Sequence, residues 1–396
     1  MSKYLLFFLL VAFSFPAFSQ QKDENIFFNT NNDTLVLYFN AGGNITTKLN
    51  AVFYRKAILD KEVFNYNGTV SDYFINNQKA YECNFSSKEL NGIVRCFYSN
   101  GNLQYIGHFN NYNKDSVWTY YYDNGNIEKV IQFMDSIPII KELYKRNSKV
   151  VFNNGNGRYI SKILYSDAPL ECTITGKVVN GKMEGAWHWT GTYAQGIEYY
   201  SNGKYVRTEN YGLNDGFKNP RIISITGFDP HENVNIFDFF TLPQESIQRD
   251  MTLKGIPFAF KGNQIATSIS FNSSSSNNLP LKYKTSSNLK KEFSWDFSNH
   301  LSKVIKSNQI NFFWCFIQFE VNKNNQVKNI SVYSNNEIIE LDIKKYLSNI
   351  TDFESARINN EDVTCDIYLN LYFENNTLYI PNYHYGNIIF NEFNSN

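Results

Sequence analysis

The dipeptide Asn-Gly occurs eight times, and all eight copies lie between residues 67 and 203. Asn-Gly suits the two positive-φ positions of a type I′ turn, the tightest connection between twisted antiparallel strands. Aromatic-rich segments surround the copies, as in residues 97–103 (FYSNGNL) and 121–127 (YYDNGNI). This pattern predicts a series of β-hairpins, and it constrains the fold of the first half of the chain more than any other feature.

The predicted hairpins recur at a fixed period. Residues 97–103 are repeated 24 residues later at 121–127, and residues 74–78 (FINNQ) begin 23 residues before the first copy. The pattern returns at 199–204 (YYSNGK). A period of this length is typical of an array in which each hairpin buries its face against its neighbours. We predict a hairpin-repeat region over residues 26–216, in a chain that is mainly β.

The aromatic residues of the repeats allow two interpretations. Phe and Tyr number 34 and 28, and both favour half-buried strand positions. Trp118, Trp187 and the Tyr pairs either form the packing rows of the sheet, which is the interpretation we favour, or line a ligand surface. Because a single-layer sheet has two faces, we expect some aromatic side chains to remain exposed for a partner.

Residues 185–187 (GAW), followed by Tyr-Tyr-x-x-Gly-Lys at 199–204, resemble the bacterial variant of the MORN repeat. Residues 50–55 (NAVFYR) and 70–74 (VSDYF) resemble the opening of secreted Bacteroidetes-type proteins, in which such repeats precede a TonB-like C-terminal domain. The resemblance covers most of residues 30–216. It implies a sheet of tandem hairpins. MORN-variant repeats also occur in antitoxin- or immunity-like proteins.

Residues 1–19 are typical of a secretory signal. Lys3 precedes an apolar run at 4–15, and Ala17 and Ser19 place small residues where signal peptidase cleaves. The apolar run is shorter than the ~20 residues of a membrane-spanning helix. We predict that the signal is removed and that the protein is exported to the periplasm or cell envelope, or to the outside of the cell. The alternative is that the segment is kept as an anchor.

The charged and metal-binding residue types exclude several classes of function. The 37 basic residues balance 37 acidic ones without a long run of either sign, which argues against a nucleic-acid partner. The five Cys and five His residues are scattered and lack the spacing of a metal site. The nucleophile-elbow, P-loop and calcium-loop motifs do not occur. We expect no catalytic residue, cofactor, metal or small-molecule substrate, and we predict a binding protein and not an enzyme.

Residues 217–292 lack the repeat. Residues 233–240 (NVNIFDFF) predict one strand, and the polar run 273–278 predicts a loop or linker. We place a flexible domain boundary between residues 272 and 288. This middle segment carries no indication of function.

The chain beyond the linker predicts a small α+β domain over residues 293–376, with a tail at 377–396. Apolar residues at helical spacing predict two short helices, with buried faces formed by Phe297, Leu301, Val304 and Ile305 in the first and by Ile339, Ile343, Tyr346, Leu347 and Ile350 in the second. Alternating apolar and polar residues predict three strands, at 314–321, 327–333 and 363–373. Cys315 and Cys365 fall on the apolar faces of their strands, either as core thiols or as a disulfide.

The predicted α-β-β-α-β order resembles the TonB C-terminal domain. The resemblance is carried by residues 316–321 (FIQFEV), 326–332 (QVKNISV) and 368–373 (YLNLYF). Members of that family contact outer-membrane transporters, largely by adding a strand to a sheet edge. The Tyr-Pro pair expected before the first strand does not occur here. The resemblance implies an interaction domain whose partners are envelope proteins, such as an outer-membrane transporter or its periplasmic peptide.

The strand at 363–373 is the candidate partner-binding site. As the last strand of the domain it is predicted to lie at the sheet edge, where unpaired backbone groups bind an extended peptide by β-augmentation. The residues that alternate onto the partner side are Thr364, Asp366, Tyr368, Asn370 and Tyr372. The alternative is that the C-terminal tail pairs with this edge and closes the fold.

The leading functional hypothesis is an envelope binding or scaffold protein that uses the hairpin surface and the TonB-like domain. One alternative is a TonB-type component of outer-membrane transport with an uncleaved anchor. Another is an antitoxin- or immunity-like protein. Sequencing the N-terminus of the mature chain separates the first two hypotheses, because only the second retains Met1.

Overall fold

The computed structural model describes thirteen stretches of the chain, at residues 25–31, 34–40, 45–62, 65–86, 89–134, 137–164, 171–191, 195–211, 265–267, 278–289, 292–374, 376–380 and 388–392. They form a mainly β protein with antiparallel sheets and a C-terminal α+β region, which confirms the predicted fold class. The predicted signal and the predicted strand at 233–240 lie outside the described residues, as does nearly all of the polar run at 273–278.

The first sheet contains 13 strands. They are β1 (Phe28–Asn31), β2 (Thr34–Phe39), β3 (Phe53–Asp60), β4 (Asn65–Tyr66), β5 (Gly68–Phe74), β6 (Lys79–Ser86), β7 (Glu89–Leu90), β8 (Gly92–Phe97), β9 (Leu103–Asn110), β10 (Asn113–Tyr121), β11 (Ile127–Met134), β12 (Ile137–Tyr144) and β13 (Val150–Phe152). Their order in the sheet follows their order in the chain, with β4 beside β3 and β7 beside β6. A short 3-10 helix, Lys48–Asn50, lies between β2 and β3.

A second sheet continues the array with five strands in chain order. They are β14 (Gly157–Leu164), β15 (Glu171–Val179), β16 (Lys182–Thr190), β17 (Gln195–Ser201) and β18 (Lys204–Tyr211). The two sheets are joined by main-chain hydrogen bonds, including one of 2.7 Å from the Ile140 N–H to the Gly181 carbonyl. The predicted hairpin region is therefore two connected sheets.

Each sheet buries a Trp over a Gly at the same place in the repeat. Trp118 and Trp187 are buried, and a Cβ atom on Gly107 or Gly176 would lie 2.2 or 2.1 Å from the respective indole ring. Each indole N–H donates to the main-chain carbonyl ten residues earlier, at 3.2 and 3.1 Å. These rings form part of the packed inner face, so the packing interpretation of the two Trp residues is confirmed.

The Asn-Gly pairs do not all form the predicted type I′ turn. At Asn180-Gly181 both residues have positive φ, 50° and 76°, as the predicted type I′ turn requires. At Asn100-Gly101 only the glycine does, at 87°, so the prediction of a type I′ turn is wrong there. The physical reason is loop length. Three residues lie between the paired ends, and such a loop needs only one left-handed residue, the glycine of a bulge.

Successive three-residue turns are bonded to one another. The Asn100 side chain donates to the Asp123 carbonyl of the next turn at 2.7 Å, and Asn124 donates to the Arg146 carbonyl one repeat later at 3.1 Å. The Tyr98 hydroxyl also donates to the neighbouring strand, at 2.8 Å. In these turns the repeated Asn therefore acts through its side chain, which links one hairpin to the next.

The C-terminal region has the predicted α-β-β-α-β order with additional short strands. Its elements are β19 (Ile265–Thr267), β20 (Lys282–Tyr283), α1 (Glu292–Ser307), β21 (Phe312–Val321), β22 (Val327–Ser334), α2 (Glu337–Asn349), β23 (Phe353–Glu354), β24 (Ala356–Ile358), β25 (Glu361–Val363), β26 (Cys365–Glu374), β27 (Thr377–Ile380) and β28 (Ile388–Glu392). The main sheet runs β22-β21-β26-β27-β28, and β19 also pairs with β26.

The predicted apolar faces of the helices and strands meet in one core. Phe297 and Leu301 from α1 and Ile339 and Ile343 from α2 are buried against the sheet. The apolar residues of β26 alternate into the same core, as predicted. Cys315 and Cys365 are buried free thiols, which decides between the two alternatives in favour of core thiols.

The C-terminal domain extends beyond the predicted limits of 293 and 376. Leu281 and Tyr283 are buried in its core, and β20 pairs with β23. β19 adds a pairing from the middle segment, and β27 and β28 add strands from the predicted tail. The predicted flexible boundary at 272–288 is therefore wrong for its described part, residues 278–288, because apolar side chains there fill the core.

Candidate binding surfaces

The strand β26 is not an edge strand, so the predicted peptide-binding edge is wrong. On one side β21 pairs with it along its whole length, from Phe312 opposite Glu374 to Val321 opposite Cys365. On the other side β27 pairs with residues 372–374 and β19 with residues 367–369. The C-terminal tail thus closes this edge, which was the alternative expectation. The physical reason is that a long edge strand of high β-propensity recruits any strand within reach, and two segments of the same chain are within reach.

The predicted partner-facing residues of β26 are covered by the hairpin region. Asp366, Tyr368, Asn370 and Tyr372 do share the face opposite the helices, but they are only 6%, 2%, 5% and 7% exposed. Thr364 precedes the strand and is exposed. The structure therefore brings four of the five residues together, at an interface within the chain.

Residues just before and within β1 form one half of this interface. The Phe27 ring stacks on Tyr368 with centroids 5.5 Å apart, and Phe28 packs edge-on against the same ring at 6.1 Å. The Gln318 side chain accepts from the Phe27 N–H at 3.1 Å and donates to the Asn25 carbonyl at 3.1 Å. One amide group thus satisfies both a donor and an acceptor of the segment, which fixes its direction on the sheet.

A second contact lies between β21 and the loop after β3. The buried Trp314 donates from its indole N–H to the Lys61 carbonyl at 2.9 Å. The Lys61 ammonium lies 5.2 Å from the centroid of the Tyr333 ring on β22. The C-terminal domain thereby covers the first end of the hairpin array, where a repeat sheet otherwise ends in an unpaired strand.

The opposite, outer face of the first sheet carries a tyrosine ladder, formed by Tyr38, Tyr54 and Tyr73 on β2, β3 and β5. They are direct cross-strand neighbours. The Tyr54 and Tyr73 rings stack with centroids 5.1 Å apart and planes 13° from parallel. The Lys56 ammonium lies 5.6 and 5.5 Å from their centroids. Burial, followed by the charge of Tyr73, raises the pKa of Tyr54, so its hydroxyl stays protonated and donates to Asn77 at 2.9 Å.

An open groove of about 970 Å³ runs beside the ladder. Lys48 and Lys56 line it, and its lining includes no acidic side chain. The apolar residues Leu49 and Ile75 also line it and are 62% and 49% exposed. We call this site the tyrosine groove. Sequence reasoning missed it, although the signal was present: Tyr54 and Tyr73 alternate out of phase with the buried residues on either side of them.

The inner face under the ladder holds a buried ion pair. The Arg55 guanidinium binds both carboxylate oxygens of Asp72 at 2.6 and 2.8 Å. Burial raises the pKa of the adjacent Tyr66 to about 12. Arg55 also lies over the Phe39 ring at 5.6 Å. Because removing one partner leaves a buried charge, this pair ties β3 to β5 in a single register and holds the ladder above it.

Chemistry-bearing groups elsewhere in the described residues are dispersed. Within those residues no group of three or more His, Cys, Asp or Glu side chains is placed to hold a metal ion. The closest His-carboxylate pair, His300 and Asp342 at 2.7 Å, links α1 to α2, and His300 stacks on Tyr346. Because the His300–Asp342 pair joins two packed helices, we assign it a structural role.

The chain was compared with protein-family models and with curated proteins. The chain matched no protein-family model and no curated protein. Among the helices of the described residues, none is long and apolar enough to cross a membrane. The function is therefore inferred from the geometry and charge of the tyrosine groove and of the interface between the hairpin array and the C-terminal domain.

Proposed function

We propose that this protein is a non-enzymatic binding protein of the cell envelope that engages another envelope protein through the tyrosine groove. The observation that carries the proposal is the half-exposed stack of Tyr54 and Tyr73 with Lys56 beside it, on the face of the sheet that the core does not use. Elsewhere in the array the large aromatic residues Trp118 and Trp187 point inward. The tyrosine ladder therefore lies on the outer surface and not in the core.

The groove has the composition of a protein-binding surface. Tyrosine offers a large contact area with few rotatable bonds, so little conformational entropy is lost when a partner covers it. Leu49 and Ile75 add exposed apolar area at the same place, and clustered exposed apolar side chains mark interaction sites. Lys48 and Lys56 give the groove a positive sign, which selects a partner segment that carries carboxylates.

The C-terminal domain supports this function by packing against the first end of the hairpin array and holding it in place. It covers the end of the sheet next to the groove, since it packs on Phe27 and on Phe28, the first residue of β1, and Asn29 and Asn31 of β1 line the groove. A peptide bound along β26 is not part of the proposal because that strand is already paired on both sides. The transport and antitoxin-like alternatives stay predictions.

Affinity capture from envelope extracts with matched variants tests the proposal. The groove variants are Lys56→Glu and Leu49→Asp, both at exposed positions where the fold tolerates change. Lys141→Glu, an exposed lysine of β12 outside the groove, is the control for charge reversal. A partner that is retained by the wild type and the control and lost by both groove variants supports the proposal. Identical partners in all four proteins, each shown to be folded by circular dichroism, exclude it.

A further inference from the structure

The outer face of the second sheet carries a separate groove of about 640 Å³. Its charged or titratable lining residues are Arg158, Lys177 and His188, and its lining includes no acidic side chain. Thr175 accepts a hydrogen bond of 3.1 Å from Arg158 Nε, which orients the guanidinium and leaves its two terminal nitrogens for a ligand. We call this site the basic groove.

The sheet register places these basic side chains side by side. Arg158 on β14 lies directly opposite Lys177 on β15, and Thr175 lies opposite His188 on β16. Like charges directly opposite each other destabilise an antiparallel pair. Glu184 is the neighbour of Lys177 on the other strand, and its carboxylate, which also accepts the Asn202 N–H at 2.7 Å, offsets one of these two cationic charges. Arg158 and Lys177 together therefore leave a net positive charge at this place in the sheet.

The first sheet shows that the fold does not require this charge. Superposing the two buried Trp residues gives a shift of 69 residues, which places His108 at the position of Lys177 and Thr119 at that of His188. The strand partner of His108 is Ile93, whereas that of Lys177 is Arg158. The bulge is also shared, since Ser116 and Gly185 both have positive φ, at 60° and 70°.

The same comparison shows that the groove is opened by small side chains. Ala186 lines the basic groove, and its counterpart in the first sheet is the larger Val117, which is exposed there. Ile106 stands where Thr175 stands in the second sheet. One backbone framework thus carries a mainly apolar surface with a single His108–Asp115 pair in the first sheet, and a basic, hydroxyl-lined depression in the second. Because two cationic side chains directly opposite each other disfavour an antiparallel pair, the basic version points to a ligand.

We propose that the basic groove binds a soluble phosphomonoester. A phosphomonoester carries a charge of about −1.5 to −2 near pH 7 and three acceptor oxygens, which matches a guanidinium, an ammonium, an imidazole and a hydroxyl converging on one place. A carboxylate offers two oxygens and a single charge, and it leaves one basic group unmatched. Arg158 binds two phosphate oxygens through its terminal nitrogens, while Lys177 contributes a point charge.

Calorimetric titration of the full mature chain with glucose 6-phosphate tests the proposal, with glucuronate and glucose as comparison ligands. The expected Kd for glucose 6-phosphate is on the order of 1 mM or below. Glucuronate should bind at least about tenfold more weakly and glucose not at all, because each removes charge and acceptor oxygens. A Kd above about 10 mM for the sugar phosphate, or equal affinity for glucuronate, overturns the proposal.

Three variants separate a built site from net charge. Arg158→Ile introduces the residue of the first sheet at this position, so the fold accommodates it, and Lys177→Gln removes the second charge. Both should weaken binding about tenfold or more without lowering the melting temperature. Lys204→Gln removes one exposed charge from the same sheet and should bind like the wild type. Equal weakening in Lys204→Gln, or full binding by Arg158→Ile, contradicts the assignment.

A vesicle assay decides between a soluble phosphomonoester and a lipid headgroup. Vesicles of phosphatidylcholine containing phosphatidic acid present the same phosphoryl group on a membrane. We expect the protein to bind glucose 6-phosphate and to remain unbound in a flotation assay with these vesicles. Vesicle binding without binding of the sugar phosphate overturns the assignment to a soluble ligand.

Discussion

The hairpin sheets and the C-terminal domain place tyrosines on alternating strand positions in the same way, with opposite outcomes. Tyr54 and Tyr73 stay half-exposed on the outer face of the first sheet. Tyr368 and Tyr372 occupy the corresponding non-core face of β26 and are buried, Tyr368 against the Phe27 ring at the start of the array. Alternation settles which residues share a face of a strand, and the neighbouring elements settle whether that face meets solvent.

The two regions also differ in the range of their strand pairing. In the hairpin sheets every strand pairs with strands close to it in the sequence, so each turn sets the next register. In the C-terminal domain β26 pairs with β19, about a hundred residues earlier in the chain, and with β21 across α2. The array is therefore encoded locally, whereas the domain depends on long-range closure.

The largest expected effect is the difference in stability between removing an aromatic ring from the inner face of the sheet and removing an exposed one. Trp118→Ala should lower the free energy of unfolding by about 4 kcal/mol, because it removes a buried ring that packs directly over Gly107. Trp295→Ala on α1 is the control, since that ring is largely exposed, and its cost should stay below about 1 kcal/mol. Urea unfolding followed by circular dichroism measures both. Equal midpoints for the two variants contradict the assignment of Trp118 to the core.

The next prediction concerns the coupling between the two regions. Phe27→Ala should cost about 3 kcal/mol, because the ring is buried between the array and Tyr368. The variant should also unfold in two steps, since the interface that joins the regions is weakened. Ile93→Ala, on the exposed outer face, should retain the wild-type transition. Calorimetry measures both, and an unchanged single transition in Phe27→Ala argues against this interface.

The third prediction tests the covered face of β26 through pH. Burial, and to a lesser extent the Glu320 carboxylate, raise the pKa of Asp366 to about 7 from an ordinary value of 3.8. The folded state therefore holds this proton longer than the unfolded state does. The stability that the protonated Asp366 carboxyl contributes is fully present below about pH 3.8 and is lost as the pH rises through 7.

Replacing this carboxyl by an amide should remove the pH-dependent loss. Asp366→Asn should be more stable than the wild type by roughly 2 kcal/mol at pH 8 and nearly equal to it at pH 4. Glu361→Gln is the control because Glu361 is exposed in the same domain. Melting temperatures from pH 4 to 8 give the comparison, and a difference that does not grow with pH contradicts a buried carboxyl.

The smallest expected effect concerns the turns. Gly101→Val should cost about 1–2 kcal/mol, because a β-branched residue is strained at a φ of 87°. Gly125→Val should behave alike, since its φ is 84°. Asn100→Ala should cost about 1 kcal/mol through loss of the bond to Asp123. If all three melt like the wild type, the turns do not stabilise the array.

The features that depend on nearby residues were predicted well. The Asn-Gly pairs at 100–101, 124–125, 180–181 and 202–203 lie at hairpin turns, as predicted, and Phe297 and Ile343 identified the buried faces of α1 and α2. The alternation in β26 placed Cys365 in the core. The prediction of a type I′ turn is wrong at Asn100-Gly101 because the loop has three residues and not two. In a three-residue loop only the glycine needs a positive φ.

The candidate sites were harder to predict because each combines residues that are distant in the chain. The alternation in β26 predicts a free face, and only the docking of Phe27 shows that this face is covered. The basic groove brings together Arg158, Lys177 and His188 from three strands. The register between these strands cannot be read from a single sequence. No local pattern distinguishes these residues from ordinary exposed positions.

By itself the sequence determined the hairpin array, the α-β-β-α-β order and the alternation of core and non-core positions, because turn chemistry and side-chain period act over a few residues. Only the tertiary structure decided which strand became an edge, which non-core face was covered and which side chains from separate strands converged. Those outcomes depend on long-range packing, in which a segment such as residues 25–28 competes with solvent and with partners for the same surface.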